Sequence, residues 1–177
     1  MVFTKNILRI ITLALAVMAT LTVFHTKAEE YRNEQIPISN ITAALREKQL
    51  KCLADNIYFE AGYESFEGKV AVAQVTLNRA NNPKWSSDIC KVVYQKNVIY
   101  EKVVCQFSWY CEQGPTYKIN NKQVYSESMI VAKKVLLEGF RLPSVSKALY
   151  YHADYVNPKW NKPKLTKIGR HIFYSET

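Results

Sequence analysis

The segment Gly68 to Ala80, GKVAVAQVTLNRA, has no internal breaker and carries Val70, Ala71, Val72, Ala73, Val75 and Leu77 in almost unbroken apolar succession. A stretch that is apolar on nearly every side has to be covered on nearly every side, so it marks the centre of whatever this chain folds into. Its Val/Ala alternation suits a buried strand and its uninterrupted length suits a buried helix, and the pattern leaves both open. Asn81, Asn82 and Pro83 end it.

The flanking segments are easier to read. From Ala43 to Ala61, Leu45, Leu50, Leu53, Ala54, Ile57 and Ala61 recur mostly three or four apart among good helix formers, which predicts a helix broken near Gly62. Pro83 to Tyr125 is turn-rich, with "NNPKW", "QGP" and "INNK", and reads as loops with a hairpin over Tyr117 to Tyr125. Ser126 is the expected N-cap of a further helix with Met129, Ala132 and Leu136 on one stripe and Gly139 as its stop. The tail from Ala148 to Tyr174, rich in aromatic and β-branched residues, predicts one or two strands around "NPKWNKPK".

The N-terminus has the three parts of an export signal: Lys5 and Arg9, the uncharged run Ile10 to Phe24, and Thr26-Lys27-Ala28 as a cleavage site. An uncleaved signal anchor is the alternative. Cleavage after Ala28 would leave 149 residues, the size of one domain, with 21 basic against 15 acidic groups. The expected organisation is a signal peptide over 1–28, a polar lead-in and helix start over 29–46, and one domain over 47–177. Such a chain would be exported to the periplasm, wall or medium, with no stable membrane insertion after cleavage. Its positive charge favours anionic partners such as wall polymers or membrane surfaces, whereas the absence of basic blocks and of any recognition motif speaks against nucleic acid.

Cys52, Cys90, Cys105 and Cys111 are an even set in an exported chain and suggest disulfides, with three possible connectivities. Only five residues separate Cys105 from Cys111, which favours a local closure there and leaves Cys52 with Cys90. No C-x-x-C spacing points to zinc, and His152 and His171, the histidines beyond residue 28, are expected to be structural. No metal or cofactor is expected.

Chemistry is suggested by "NIYFEAGYES", where Glu60 and Glu64 stand four apart among aromatic and small residues. A carboxyl buried against apolar groups holds its proton to higher pH and can act as an acid. This block, with "EGKVAVAQVTLNRA", "CQFSWYCEQ", "ALYYHADYVNPKW" and "IGRHIFY", resembles the SleB-type cell wall hydrolases, with five blocks in family order between Cys52 and Tyr174.

The resemblance implies an α+β fold, mainly helical, similar to lytic transglycosylases and goose-type lysozymes. It implies an enzyme acting on peptidoglycan glycan strands at the bond between N-acetylmuramic acid and N-acetylglucosamine, as a lytic transglycosylase. The family motif E-A-R-G-E places the acid on Glu60 and its second glutamate on Glu64. Gly62 and Tyr63 stand where the family has Arg and Gly, and a positive φ at that position would strain Tyr63 unless Gly62 served as the flexible residue. If hydrolysis were the outcome, Glu64, Glu67, Asp88 or Asp154 would be the partner carboxylate. Candidate substrate contacts are Asn78, Gln106, Phe107, Ser108, Trp109, Tyr151 and His152, with Arg79 read as a salt-bridged structural group and Trp160 as a further aromatic candidate. The rival functions are an N-acetylmuramoyl-L-alanine amidase and a non-catalytic wall-binding relative.

Overall fold

The computed structural model describes residues 18–20, 22 and 43–176, and residues 44–177 form one compact unit. The expected export signal and its cleavage point lie outside the described residues, apart from Met18–Thr20 and Thr22, which are helical. Within the compact unit the order is α1 (Ala43–Ala61), α2 (Phe66–Ala80), α3 (Ile89–Val93), β1 (Lys96–Ile99), β2 (Lys102–Cys105), α4 (Ser108–Gln113), α5 (Lys122–Leu136), a 3-10 turn (Pro143–Val145), β3 (Ala148–Ala153), β4 (Lys164–Ile168) and β5 (His171–Ser175). This is the α+β, mainly helical architecture expected.

The ambiguous apolar segment is helix α2. Its side chains feed two buried clusters: Val70, Ala73 and Leu77 pack with Leu53 and Ile57 of α1 and Val131 and Val135 of α5, while Ala71, Val72 and Val75 pack with Ala148 and Phe173 of the sheet. A helix enclosed by helices on one side and a sheet on the other buries its whole circumference, so no polar stripe is needed. Ser65 caps it, its hydroxyl accepting from Gly68 N at 3.2 Å.

The turn-rich middle differs from expectation. The hairpin is β1–β2, not Tyr117 to Tyr125, and it turns through Tyr100 and Glu101 at φ 46° and 62°. Two successive positive φ values ordinarily call for Asn-Gly or Gly-Gly, so "YE" gave no hairpin signal. Helix α5 starts at Lys122 rather than after Ser126: Asn121 Oδ1 accepts from both Gln123 N and Val124 N at 3.1 Å. Its buried stripe is Val124, Ser128, Val131, Ala132 and Val135, and the expected Met129 and Leu136 lie at the margin. Three strands, not one or two, close the fold as an antiparallel sheet in the order β3-β5-β4.

Two disulfides join Cys52 of α1 to Cys90 of α3 and Cys105 of β2 to Cys111 of α4, in the favoured pairing.

Candidate active site

Glu60 lies in the last turn of α1, at the floor of a cleft of about 420 Å³. One wall is the sheet: Tyr151 of β3 donates its hydroxyl proton to Glu60 Oε2 at 2.9 Å. Tyr151 is itself packed edge-on against His171 of β5, with ring centroids 5.2 Å apart. The other wall runs from Gln106 through Phe107 and Ser108 to Trp109 and on to Glu112.

Trp109 is set with little freedom. Its indole N–H donates to Asn56 Oδ1 at 2.9 Å, and Asn56 in turn donates to Thr76 Oγ1 at 3.1 Å. Phe59 stacks on the indole with centroids 4.3 Å apart and planes 14° from parallel. Behind this pair, fully buried Asp55 accepts from Lys51 Nζ at 2.8 Å and from the hydroxyls of Tyr94, Tyr117 and Tyr125 at 3.0, 2.6 and 3.0 Å. The wall that faces the cleft is therefore backed by a satisfied polar network, which fixes ring positions better than apolar packing alone.

The electrostatics single out Glu60. Burial pushes its pKa up from 4.5 to about 6; the Tyr151 hydrogen bond and the charge of Arg79 hold it from rising further, and the charge of Glu112 adds to the rise. A carboxyl titrating there is still substantially protonated in mildly acidic solution. Burial also raises Tyr151 well above the ordinary phenol range and lowers His171.

The other expected residues divide. Gln106, Phe107, Ser108, Trp109, Tyr151 and His152 all line the cleft with Glu60. Gln106 Oε1 accepts from Trp85 Nε1 at 3.3 Å, and His152 contacts the Ala153 carbonyl and the Tyr174 hydroxyl at 2.8 and 2.9 Å. Trp160 packs edge-on against His152, outside the lining. Asn78 is also outside it: its amide donates to the carbonyls of Val145 and Ala148 at 3.1 and 2.8 Å, tying α2 to the start of β3.

Glu64 is turned away from the cleft lining. It accepts from Arg170 N at 3.2 Å, and its Oε2 fills the space a side chain on Gly169, φ +56°, would need. It thus pins the α1–α2 turn to the β4–β5 turn. The expected strain between the glutamates is absent, since neither Gly62 nor Tyr63 has a positive φ. Gly62 instead permits close approach: a Cβ there would meet the Tyr58 carbonyl oxygen and come within 2.9 Å of Val124 Cγ1 on α5. Tyr63 projects into solvent, 86% exposed.

Two cleft residues carry more than the sequence indicated. Arg79 forms no salt bridge among the described residues; it is 4% exposed, donates from Nε to the Leu149 carbonyl at 2.8 Å, and lies over the rings of Phe107 and Trp85. Its Nη1 is buried without a partner, as is His171 Nδ1. Glu112 lines the cleft as well, and its place directly after Cys111 in a cysteine-closed loop is the sequence signal that points to it. Among the described residues, no group of three or more His, Cys, Asp and Glu side chains is placed to hold a metal ion.

A family model described as Cell Wall Hydrolase matches residues 63–174. Among curated proteins, the spore cortex-lytic enzyme of Bacillus subtilis (strain 168) is 24% identical over 146 residues, covering 80% of this chain and 42% of that one. The spore cortex-lytic enzyme of Bacillus cereus (strain ATCC 14579) is 24% identical over 150 residues, covering 82% and 51%. The chain thus spans about two fifths to a half of the length of these relatives. Among solved structures, the catalytic domain of the Bacillus cereus SleB protein superposes with a TM-score of 0.54 at 24% identity, over 73% of this chain and 91% of that one. The catalytic domain of the germination-specific lytic transglycosylase SleB from Bacillus anthracis gives 0.52 at 24% identity, over 72% and 93%. These two likenesses establish the fold.

Proposed function

The chain belongs to the cell wall hydrolase family, and on that premise we propose that its cleft cleaves the β-1,4 bond between N-acetylmuramic acid and N-acetylglucosamine in peptidoglycan, as a lytic transglycosylase, with Glu60 as acid and then base. The observation that carries this is a carboxyl at the floor of an aromatic-walled cleft, with its pKa pushed up to about 6. Glu60 gives its proton to the glycosidic oxygen as the C1–O bond breaks and the bonding pair stays with that oxygen. The carboxylate so formed takes the proton of the sugar's own 6-hydroxyl as O6 bonds to C1. That restores the acid and leaves a 1,6-anhydro end without consuming water. Tyr151 steadies the intermediate carboxylate by its hydrogen bond, and Arg79 does so by charge. Phe59 and Trp109 shape the wall against which sugar rings can pack, and Gln106 and Ser108 offer hydrogen-bonding groups beside it.

The family and the paired cysteines fit an exported protein. We place its signal in residues 1–28 and its catalytic domain in 47–177. No helix among the described residues is long and apolar enough to cross a membrane.

Digestion of purified peptidoglycan followed by mass spectrometry tests the reading. Anhydro-muropeptides are expected from the wild type and roughly 1,000-fold less of them from Glu60→Gln. Reducing-end muropeptides would replace transglycosylation with hydrolysis, freed stem peptides would indicate an amidase, and a fully active Glu60→Gln would remove Glu60 from the role.

A further inference from the structure

We propose that Glu112 is a second catalytic carboxylate, presented to the reacting sugar from α4, where it stabilises the positive charge that develops on the ring as the glycosidic bond breaks. The proposal rests on the glycosidase reading above and assigns a role that Glu60 cannot fill, since Glu60 is occupied with the proton.

The other acidic residues suggested by sequence lie outside the cleft lining. Glu64 binds the β4–β5 turn through Arg170 N, and Glu67 is exposed in the first turn of α2. Asp88 caps α3, accepting from Lys91 N at 3.0 Å, and Asp154 pairs with Lys167 at 2.8 Å and with Arg170 at 3.7 Å. Glu112 alone joins Glu60 as a carboxylate in the cleft lining, and among the described residues it makes no ion pair and no side-chain hydrogen bond.

A free carboxylate on a six-residue helix would ordinarily be poorly placed, because so short a helix does not persist by itself. Here α4 is held at three points: Cys111, the residue before Glu112, is bonded to Cys105; Trp109 is buried and bonded to Asn56; and Gly114, at φ +72°, ends the helix where an L side chain would be strained. An independent feature of the same cleft points to an oxygen-rich ligand. Arg79 is 4% exposed and carries a buried, unpartnered Nη1, a donor that calls for an acceptor oxygen. The cleft thus brings Arg79, with its unpartnered donor, and Glu112, a carboxylate without a protein partner, into one lining with Glu60.

No covalent bond to Glu112 is required. The proton travels only between Glu60, the leaving oxygen and the attacking hydroxyl, so Glu112 takes no part in proton transfer. Its charge also opposes ionisation of Glu60 and so keeps the acid loaded.

The test is steady-state kinetics of full-length Glu112→Gln on peptidoglycan. The expected result is a kcat lower by about 100-fold with KM within a few-fold of wild type, the size seen when one charge-stabilising group is removed. The alkaline limb of the pH profile should also move to lower pH. The remaining titratable or charged groups that share the cleft, Arg79 from α2, Tyr151 and His152 from β3, Tyr155 just beyond β3 and His171 from β5, are left in place. Glu112→Asp should recover part of the loss, which a purely structural role would not predict for a shortened, exposed side chain. A wild-type kcat with an unmoved limb, or a loss confined to KM, would overturn the proposal. Glu60→Gln run alongside separates the two ideas: wild-type activity in that variant removes Glu60 from the acid role on which the proposal rests, whereas its strong loss together with a normal Glu112→Gln defeats only the role of Glu112.

Discussion

At the scale of single residues, what distinguishes Glu60 from Glu64 is the company each keeps. Glu60 is enclosed beside Tyr151 and Arg79, and Glu64 is bound to the backbone of a neighbouring turn. Because burial raises Glu60 to about 6, the folded protein holds more protons than the unfolded chain between pH 4.5 and 6. Stability associated with this group is therefore full below pH 4.5 and falls as pH rises to about 6, by at most about 2 kcal/mol, less what solvent in the open cleft screens away. Glu60→Gln should thus raise the urea midpoint at pH 7, leave it unchanged near pH 4, and lower activity by roughly 1,000-fold. A midpoint shift of equal size at both pH values would contradict this account of the charge. Wild-type activity should decline as pH rises through about 6. Tyr151→Phe removes a hydrogen bond that favours the carboxylate, so the declining limb should move to higher pH, as a pH–rate profile would show.

At the scale of elements, one of the two departures from the family motif, Gly62, has a packing explanation, and the exposed Tyr63 has none. Gly62 lies where the end of α1 meets α5, and the room it saves is occupied by Val124. Gly62→Ala should destabilise the fold by about 1–3 kcal/mol through overpacking, measured by urea denaturation. A neutral effect would show that α5 can yield at this contact. Helix α2 illustrates the reverse case, in which a sequence pattern was sound but incomplete. Its apolar run demanded cover on all sides, yet only the presence of helices on one side and the β3–β5 strands on the other made a helix the solution. The misplaced hairpin has a similar cause: Tyr100 and Glu101 adopt positive φ without the residues that usually announce it.

At the scale of the whole molecule, the two disulfides have different tasks. Cys52–Cys90 closes a separation of 38 residues and joins α1 to α3 across the core, while Cys105–Cys111 spans only 6 and braces the cleft wall. Loop-closure entropy predicts that removing the long one costs about 4 kcal/mol and removing the short one about 2 kcal/mol. Paired Cys→Ser variants in denaturant would check the order. The short bridge should show the larger effect on kcat relative to its stability cost, because Gln106 to Trp109 and Glu112 all depend on it for position.

The sequence by itself determined helix α1, the favoured cysteine pairing and the block that carries the proposed acid, because helical periodicity, cysteine spacing and the family motif are local features of the chain. Helix α1 was legible over Ala43–Ala61 for that reason. Only the tertiary structure separated Glu60 from Glu64, moved Asn78 to a structural tie, brought Arg79 and Glu112 into the cleft, and gave Gly62 its steric meaning. Each of those depends on which residues far apart in the chain share a space, and on the burial and charge they impose on one another. That information is contained in contacts such as Tyr151 to Glu60, 91 residues apart, and in no short stretch of sequence.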